Sequence, residues 1–220
     1  MSKVTSVEPQ KKNPKRFNVF LDGEFAFGAD EDLVVNRRLM VGKIIAPEDM
    51  EKILFEAEVG KLMEKMYRWF ALRQHSEKEV RDYFKVKNAE LRIRKEAERS
   101  RVVVDAVIET LKKKGLLNDL EFAKAWAEAR RKSKQKGIKA IKAELFQKGI
   151  DKEIIEKVVS EQAKGCGEEE LAKQALEKKM KYWKNLDPKK LYSKAIEYLL
   201  RKGFEYEIVK TVLDKSDGVL

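Results

Sequence analysis

A pattern that recurs along the chain limits its fold more than any other feature. Lys148-Gly149-Ile150 closes one segment whose apolar residues are spaced as on a helix, and Lys202-Gly203-Phe204 closes another. Asn88 stands at the corresponding place earlier in the sequence, and the interval between copies is about 55–60 residues. Glycine and asparagine readily adopt the left-handed conformation that ends many helices. The sequence therefore predicts three copies of one helical unit in series.

The residues around the three junctions agree with this interpretation. Phe84, Leu145 and Leu199 each lie four residues before a junction. Matching apolar groups follow the second and third junctions, namely Ile154, Ile155, Val158 and Val159, and then Ile208, Val209, Val212 and Leu213. Since one small unit cannot be very stable alone, neighbouring units should support one another. We expect a mainly α fold of three tandem three-helix repeats (59–117, 118–164 and 165–220) forming an elongated, curved body.

Residues 1–58 have a different character and predict a small cap that contains a β-hairpin. Strand-like segments at 16–21 and 24–27 flank Asp22-Gly23, a pair that suits a tight hairpin turn. Two or three strands alone are marginal in water, so this sheet should pack on helices. The remaining elements expected in the cap are a possible third strand at 4–7 and helices at 30–37 and 47–58.

The start of the first repeat carries a helix signal with an unusual continuation. Ser76 and Glu79 are spaced as a capping box, which predicts a helix start. His75 directly precedes this cap, and we expect it to be an exposed loop residue. Residues 89–101 are polar and basic, and we expect them to form an extended, solvated helix that leads into the apolar run beginning at Val103.

Few residues in the chain suit catalysis. His75 is the only histidine and Cys166 the only cysteine, which leaves no His-based metal cluster and no intrachain disulfide. No glycine-rich phosphate loop occurs, no run of about 18 apolar residues suggests a membrane span, and the N-terminus lacks an apolar signal core. We therefore expect a cytoplasmic protein that is not an enzyme and that needs no cofactor or metal.

A dense basic run is the strongest functional signal. The chain carries 49 Lys and Arg against 38 Asp and Glu, a net charge of +11, and no acidic residue separates Arg130 from Glu144. Gly137 should break this run into the end of one helix and the start of the next. A solvated surface is the plain alternative, but such a run favours a polyanion as partner. The candidate contact residues are Arg130, Arg131, Lys132, Lys134, Lys136, Lys139 and Lys142, with Arg68, Arg73 and Arg81 as weaker candidates.

Several segments, in order and spacing, also match one known family. They are 17–24, 76–83, 115–123, 130–151 and 200–204, and they are distributed over nearly the whole length of the chain. In these segments the chain resembles the RecX regulatory proteins of bacteria. It departs from the family pattern at Asn88, where glycine is usual, and at 89–101, which looks like an insertion.

The resemblance implies a non-enzymatic modulator of RecA recombinase. Such proteins are built from tandem three-helix repeats and lie in the helical groove of the RecA–DNA filament. They typically inhibit ATP hydrolysis, strand exchange and coprotease activity. The expected partners are the RecA filament and the backbone of single- and double-stranded DNA, contacted by a monomer. Much of that contact would fall on the basic run, because phosphates attract cations without sequence readout.

Two other functions remain open from the residues. One is a general DNA-binding helical module without a RecA partner, and the other is a repeat scaffold for an acidic protein. DNA binding alone agrees with both the RecA modulator and the general module, so the ATPase activity of RecA is the measurement that separates them.

Overall fold

The computed structural model describes residues 1–163, 167–183 and 187–215. Cys166 and residues 216–220 at the end of the third predicted repeat lie outside the described residues. Contacts divide the chain into two compact units. Unit 1 contains residues 1–74 and 80–117, and unit 2 contains residues 75–79 and the chain from 118 onward.

Unit 1 combines a small sheet with helices. Its elements are β1 (Ser2–Gln10), β2 (Asn13–Leu21), β3 (Glu24–Asp30), α1 (Glu31–Asn36), β4 (Ile44–Ile45), α2 (Pro47–Phe70), α3 (Glu77–Ile93) from residue 80 onward, and α4 (Arg101–Lys113). The antiparallel strands lie in the order β3-β2-β1-β4. The remaining elements belong to unit 2: α5 (Asp119–Lys134), α6 (Ile138–Gln147), α7 (Lys152–Ala163), α8 (Glu168–Met180), α9 (Pro188–Arg201) and α10 (Tyr206–Asp214). The expected mainly α fold with a small N-terminal sheet is confirmed.

The predicted hairpin is present. Asp22 and Gly23 both have positive φ, 50° and 92°, as a tight hairpin turn between β2 and β3 requires. The third strand expected at 4–7 is part of the longer strand β1. Val4 and Val19 are fully buried against Ile53 of α2, so the sheet obtains the apolar support that it needs.

The helix predicted at 47–58 is longer than expected, because α2 continues without interruption to Phe70. Gly60 in its middle does not end it. A Cβ atom at Gly60 would lie 2.2 Å from Oδ2 of Asp30. The other carboxylate oxygen of Asp30 accepts a hydrogen bond from the backbone N–H of Leu33 at 2.8 Å and thereby caps α1. The glycine thus leaves room for the cap of a neighbouring helix.

The predictions for Asn88 and for residues 89–101 were wrong. Asn88 lies inside α3 and does not end a helix, and α3 stops at Ile93. The chain then turns, with Lys95 at φ 56°, and Ser100 caps α4 by accepting a hydrogen bond from the N–H of Val103 at 3.2 Å. The amide of Asn88 explains the turn, because it donates to the carbonyl of Arg99 at 2.9 Å and accepts from the Arg99 N–H at 3.2 Å.

Helix ends in unit 2 follow the sequence signals. Asn118 caps α5 by accepting from the N–H groups of Leu120 and Glu121. Gly149 and Gly203 have φ of 75° and 89°, which confirms the left-handed caps predicted there. Gly137 precedes α6, so the predicted break in the basic run is also confirmed.

The second and third predicted repeats each have an apolar centre within unit 2. Phe122, Leu145 and Val158 lie in the first of these, and Leu199 and Val209 lie in the second. All five side chains are buried.

Among the described residues, no helix is long and apolar enough to cross a membrane.

His75 is buried rather than exposed, contrary to the prediction. Only 2% of it is accessible, and its Nδ1 lies 3.1 Å from Oε2 of Glu79. The neighbouring Ser76 hydroxyl accepts a hydrogen bond from the N–H of Glu79 at 3.3 Å, as the capping signal predicted, and donates to the carbonyl oxygen of Lys148 at 2.8 Å. This second bond joins the 75–79 segment to the end of α6, in the unit to which both belong.

Candidate nucleic-acid interface

The basic run does not form one uniform cationic surface. Its side chains divide into those that pair with carboxylates inside unit 2 and those that remain open to solvent. Lys132 and Lys134, in the last turn of α5, are exposed, and no carboxylate of the described residues pairs with either. These two lysines are therefore available to an external anion.

The carboxylate of Glu144, in α6, accepts hydrogen bonds from three side chains. Its Oε2 accepts hydrogen bonds from Nε1 of Trp126 at 2.8 Å and from Nε of Arg130 at 2.7 Å, while its Oε1 pairs with the ammonium group of Lys136. The guanidinium of Arg130 also lies 4.0 Å from the centre of the Trp126 ring. Burial alone would raise the pKa of Glu144, but the three hydrogen bonds outweigh it and hold this pKa below its ordinary value. Arg130 and Lys136 are thus partly neutralised.

Arg131 is buried and faces the protein interior. Its accessible fraction is 6%, and its Nη1 pairs with Oε1 of Glu168 at the start of α8. The second oxygen of that carboxylate accepts the backbone N–H of Ile138, the first residue of α6, at 3.1 Å. The carboxylate of Glu168 therefore links α8 to both α5 and α6, and Arg131 is the residue of α5 that it binds.

The other predicted contact residues vary in exposure. Lys142 pairs with Glu156 at 2.7 Å, whereas Lys139 lies 3.8 Å from Glu205 and remains largely exposed. In unit 1, Arg81 pairs with Asp105 at 2.6 Å. Exposed Arg73 donates from Nη1 to the carbonyl of Gln74 at 2.8 Å.

The fold adds lysines that the sequence did not single out as contacts. The ammonium group of Lys202 donates to the backbone carbonyl of Lys134. The pKa of Lys202 is lowered by burial first, and then by the positive charges of Lys136, Lys178, Lys179 and Lys134. We call these five residues the lysine cluster. Lys178 and Lys179 were missed because more than 40 residues separate them from Lys134 in the sequence.

The lysine cluster lies where three helices end. Lys134 belongs to the last turn of α5, Lys178 and Lys179 to the last turn of α8, and Lys202 follows α9 directly. The ring of Tyr198 supports part of the cluster, with the ammonium groups of Lys179 and Lys202 at 5.9 and 5.4 Å from its centre. The negative ends of the helix dipoles favour cations at such positions. The arrangement concentrates positive charge that an external polyanion can neutralise.

The substitution Glu144→Gln is expected to lower the free energy of unfolding by about 2 kcal/mol at neutral pH, because it weakens three hydrogen bonds, two of them from cations. The pKa of Glu144 is lowered in the folded state, so its stabilisation is complete above the unfolded pKa, about 4.3, and is lost as pH falls through the folded pKa. Urea unfolding measured between neutral pH and pH 3 checks both statements.

Glu161→Gln is the matched control for Glu144→Gln, because Glu161 is exposed on α7. Its free energy of unfolding should stay within about 0.5 kcal/mol of the original protein. If both variants lose the same stability, or if the loss in Glu144→Gln persists unchanged at acid pH, the described role of the Glu144 carboxylate is contradicted.

Comparison with known proteins matches this chain to RecX proteins. Three family models match: "Regulatory protein RecX N-terminal domain" at residues 2–46, "RecX, second three-helix domain" at 118–159 and "RecX, third three-helix domain" at 167–213. A regulatory protein RecX of Listeria monocytogenes is 33% identical over 99% of this chain and 77% of its own length. One of Bacillus subtilis is 34% identical over 97% of this chain and 77% of its own length.

Solved structures agree at the level of the fold. A crystal structure of a regulatory protein RecX aligns with a TM-score of 0.73 and 23% identity, covering 97% of this chain and all of that one. A crystal structure of RecX from Lactobacillus salivarius aligns with a TM-score of 0.56 and 22% identity, covering 73% of this chain and 97% of the other.

Proposed function

The chain belongs to the RecX family of regulatory proteins, and on this premise we propose that it binds the groove of the RecA–DNA filament as a monomer and inhibits the filament. Inhibition would lower ATP hydrolysis by RecA, strand exchange and coprotease activity. The protein would act by occupying the filament and would carry out no chemistry of its own.

The observation that carries this proposal is the extent of the family similarity. A relative described as a regulatory protein aligns with 99% of this chain, so the similarity includes the sheet and the helical repeats together. The lysine cluster gives a physical basis for contact with DNA, because Lys134, Lys178 and Lys179 can each neutralise a phosphate. Lysines contact phosphates as point charges, so we expect binding with little dependence on base sequence.

Addition of the protein to RecA on single-stranded DNA is expected to lower the rate of ATP hydrolysis several-fold at near-stoichiometric amounts. The triple variant Lys134→Gln, Lys178→Gln, Lys179→Gln should require more protein for the same inhibition, since it lacks three cations of the lysine cluster. A matched control removes three exposed lysines elsewhere in unit 2, at positions 152, 157 and 210. A coupled ATPase assay and a strand-exchange assay, both at fixed salt, measure the effect.

Unchanged ATP hydrolysis and unchanged strand exchange over the whole titration would contradict regulation of RecA. If the protein then still bound DNA with a steep salt dependence, a general DNA-binding module would be the better description. Equal inhibition by the cluster variant and its control would contradict only the assignment of the lysine cluster as a contact surface.

A further inference from the structure

A basic stripe runs along α2 in unit 1, far in sequence from the run at 130–142. Lys61, Lys65 and Arg68 are spaced by four and three residues, which places them on one face of the helix. At 1.5 Å of rise per residue, the stripe is roughly 10 Å long. One strand of a DNA duplex presents a phosphate about every 3.4 Å along its axis, so a stripe of this length can face more than one phosphate.

Two concavities flank this stripe and share Lys61 and Lys65. The first has a volume of about 540 Å³, and its opposite wall comes from α3 and the turn after it, with Lys87, Arg94 and Arg99. Cavities of this size bind small ligands in other proteins.

The second concavity has a volume of about 300 Å³ and is walled by the sheet. Arg16 of β2 and Arg68 of α2 line it together with the two shared lysines, and Gln10 of β1 adds an amide. The two concavities and the stripe between them form what we call the α2 groove.

Positive charge exceeds negative charge on both sides of the α2 groove. The first concavity has five cations against the carboxylates of Glu58, Glu90 and Glu96. Glu90 is already engaged, because both of its oxygens accept from Lys87, at 3.0 and 2.8 Å. Four cations therefore face two remaining carboxylates.

In the second concavity four cations face one carboxylate, that of Glu64. Glu64 accepts a hydrogen bond from Nδ2 of Asn13 at 2.7 Å and lies 3.7 Å from Nη1 of Arg16. Arg16 is buried and donates from Nη2 to the carbonyl of Gly28 at 3.1 Å, which fixes its guanidinium. With one partly engaged carboxylate, most of this charge has no counterion among the residues that line the concavity.

The outer wall of the first concavity is fixed before any ligand arrives. Asn88 holds the backbone of Arg99 through two hydrogen bonds, and Arg92 binds both oxygens of Glu98, at 2.7 and 3.0 Å. The turn that carries Arg94 and Arg99 is thus anchored to α3 at two points. Such preorganisation lowers the entropy lost on binding.

Lys65 lies at the centre of the α2 groove and experiences this excess charge directly. Its pKa is lowered by burial first, and then by the positive charges of Arg99, Lys61, Arg68 and Lys87. An anion placed beside Lys65 would counteract this lowering, because it would stabilise the protonated amine. Anion binding in the groove is therefore favoured by the arrangement of the protein's own charges.

We propose that the α2 groove is a second binding site for nucleic acid, in which Lys61, Lys65 and Arg68 contact consecutive phosphates of one strand. The buried Arg16 side and the Arg94–Arg99 side would enclose the strand on either flank. Most side chains that line the two concavities are charged or polar, which suits a phosphodiester backbone, and Tyr83 and Phe25 are the aromatic residues among them. The choice of nucleic acid as the source of the phosphates rests on the proposed function, whereas the phosphate chemistry rests on unit 1 alone.

The triple variant Lys61→Met, Lys65→Met, Arg68→Met is expected to weaken the binding of a fluorescein-labelled oligo(dT) strand and to flatten its salt dependence. Three lost phosphate contacts should reduce the slope of log K against log salt by about 2. The charge-matched control is Lys52→Met, Lys85→Met, Lys113→Met, which removes three exposed lysines of unit 1 outside the groove. Fluorescence anisotropy over a range of NaCl concentrations, without RecA, gives the slopes.

An equal slope and affinity in the groove variant and its control would overturn the proposal. The exposed single variant Arg94→Gln should also weaken binding, which guards against a folding defect in the triple variant. Tripolyphosphate serves as the second probe: if it raises the melting temperature of the original protein while DNA affinity is the same in variant and control, the groove binds free polyphosphate and the nucleic-acid assignment is overturned. Because RecA is absent, a failed ATPase test leaves this result unaffected.

Discussion

Replacing Gly137 by alanine is expected to lower the free energy of unfolding of unit 2 by about 3 kcal/mol, since added atoms in a tight contact cost about this much. A Cβ atom at this position would lie 2.3 Å from the carbonyl oxygen of Gly203 and 2.6 Å from the backbone N of Phe204. The obstructing atoms are backbone, so no side-chain rotation can relieve the clash. Gly137 has φ −73°, which alanine adopts freely, so the cost is steric and not conformational.

The clash would also break a pair of hydrogen bonds between helices. The N–H of Gly137 donates to the carbonyl of Lys202 at 2.9 Å, and the N–H of Lys139 donates to that of Gly203 at 3.1 Å. The first N–H groups of α6 and the last carbonyls after α9 have no partners within their own helices. The N–H groups at the start of α6 thus hydrogen-bond to the carbonyl groups after α9, and separating the two helix ends would leave polar groups unpaired.

Gly167→Ala is the matched control, because a Cβ at Gly167, which precedes α8, would meet no atom of the described residues within 4 Å. Urea unfolding followed by circular dichroism should show a large loss of stability for Gly137→Ala and little change for the control. Equal stability of the two variants would mean that α6 and α9 do not approach each other as closely as described.

Removal of Arg131 is the second large effect that we expect. Arg131→Ala should destabilise the protein by about 3–5 kcal/mol, the usual cost of removing one partner of a buried ion pair. The carboxylate of Glu168, itself mostly buried, would lose its cation and remain charged. The neighbouring Lys132→Ala, at an exposed position, should change stability by no more than about 0.5 kcal/mol.

Two measurements separate this structural role from DNA contact. The double variant Arg131→Met, Glu168→Gln removes both charges, so it should recover part of the stability that Arg131→Ala loses. At a temperature where every variant is folded, Arg131→Ala should bind DNA nearly as well as the original protein. An Arg131→Ala variant of full stability and strongly reduced DNA affinity would show instead that Arg131 faces the ligand.

The sequence predicted those features of the fold that depend on neighbouring residues. The Asp22-Gly23 turn and the glycine caps at 149 and 203 are local, since each requires only a backbone conformation that few residue types adopt. The prediction at Asn88 was wrong because it considered only the backbone conformation that asparagine can adopt. Asparagine can also form hydrogen bonds through its side-chain amide, and Asn88 does so. Its bonds to Arg99, eleven residues later, have no local signature.

The candidate site was less predictable, because ion pairs depend on residues that are distant in the sequence. Between Arg130 and Glu144 the sequence contains no acid, yet Glu168, 37 residues from Arg131, reaches into this run. Glu156 of α7 and Glu205, which directly precedes α10, likewise pair with lysines of this run. The same folding brings Lys202 beside Lys134. A run of charge in a sequence therefore includes cations that are paired in the folded protein, and it omits cations that only folding brings close.

The contact between α6 and α9 is made by main-chain atoms, so it places no demand on the exposed side chains of either helix. Its hydrogen bonds join main-chain atoms, and neither Gly137 nor Gly203 has room for a side chain. Mutations can accumulate over the remaining surface without disturbing how these helices are held, provided that the two glycines are inherited. A lineage could in this way alter which molecules the protein recognises while its framework stays unchanged.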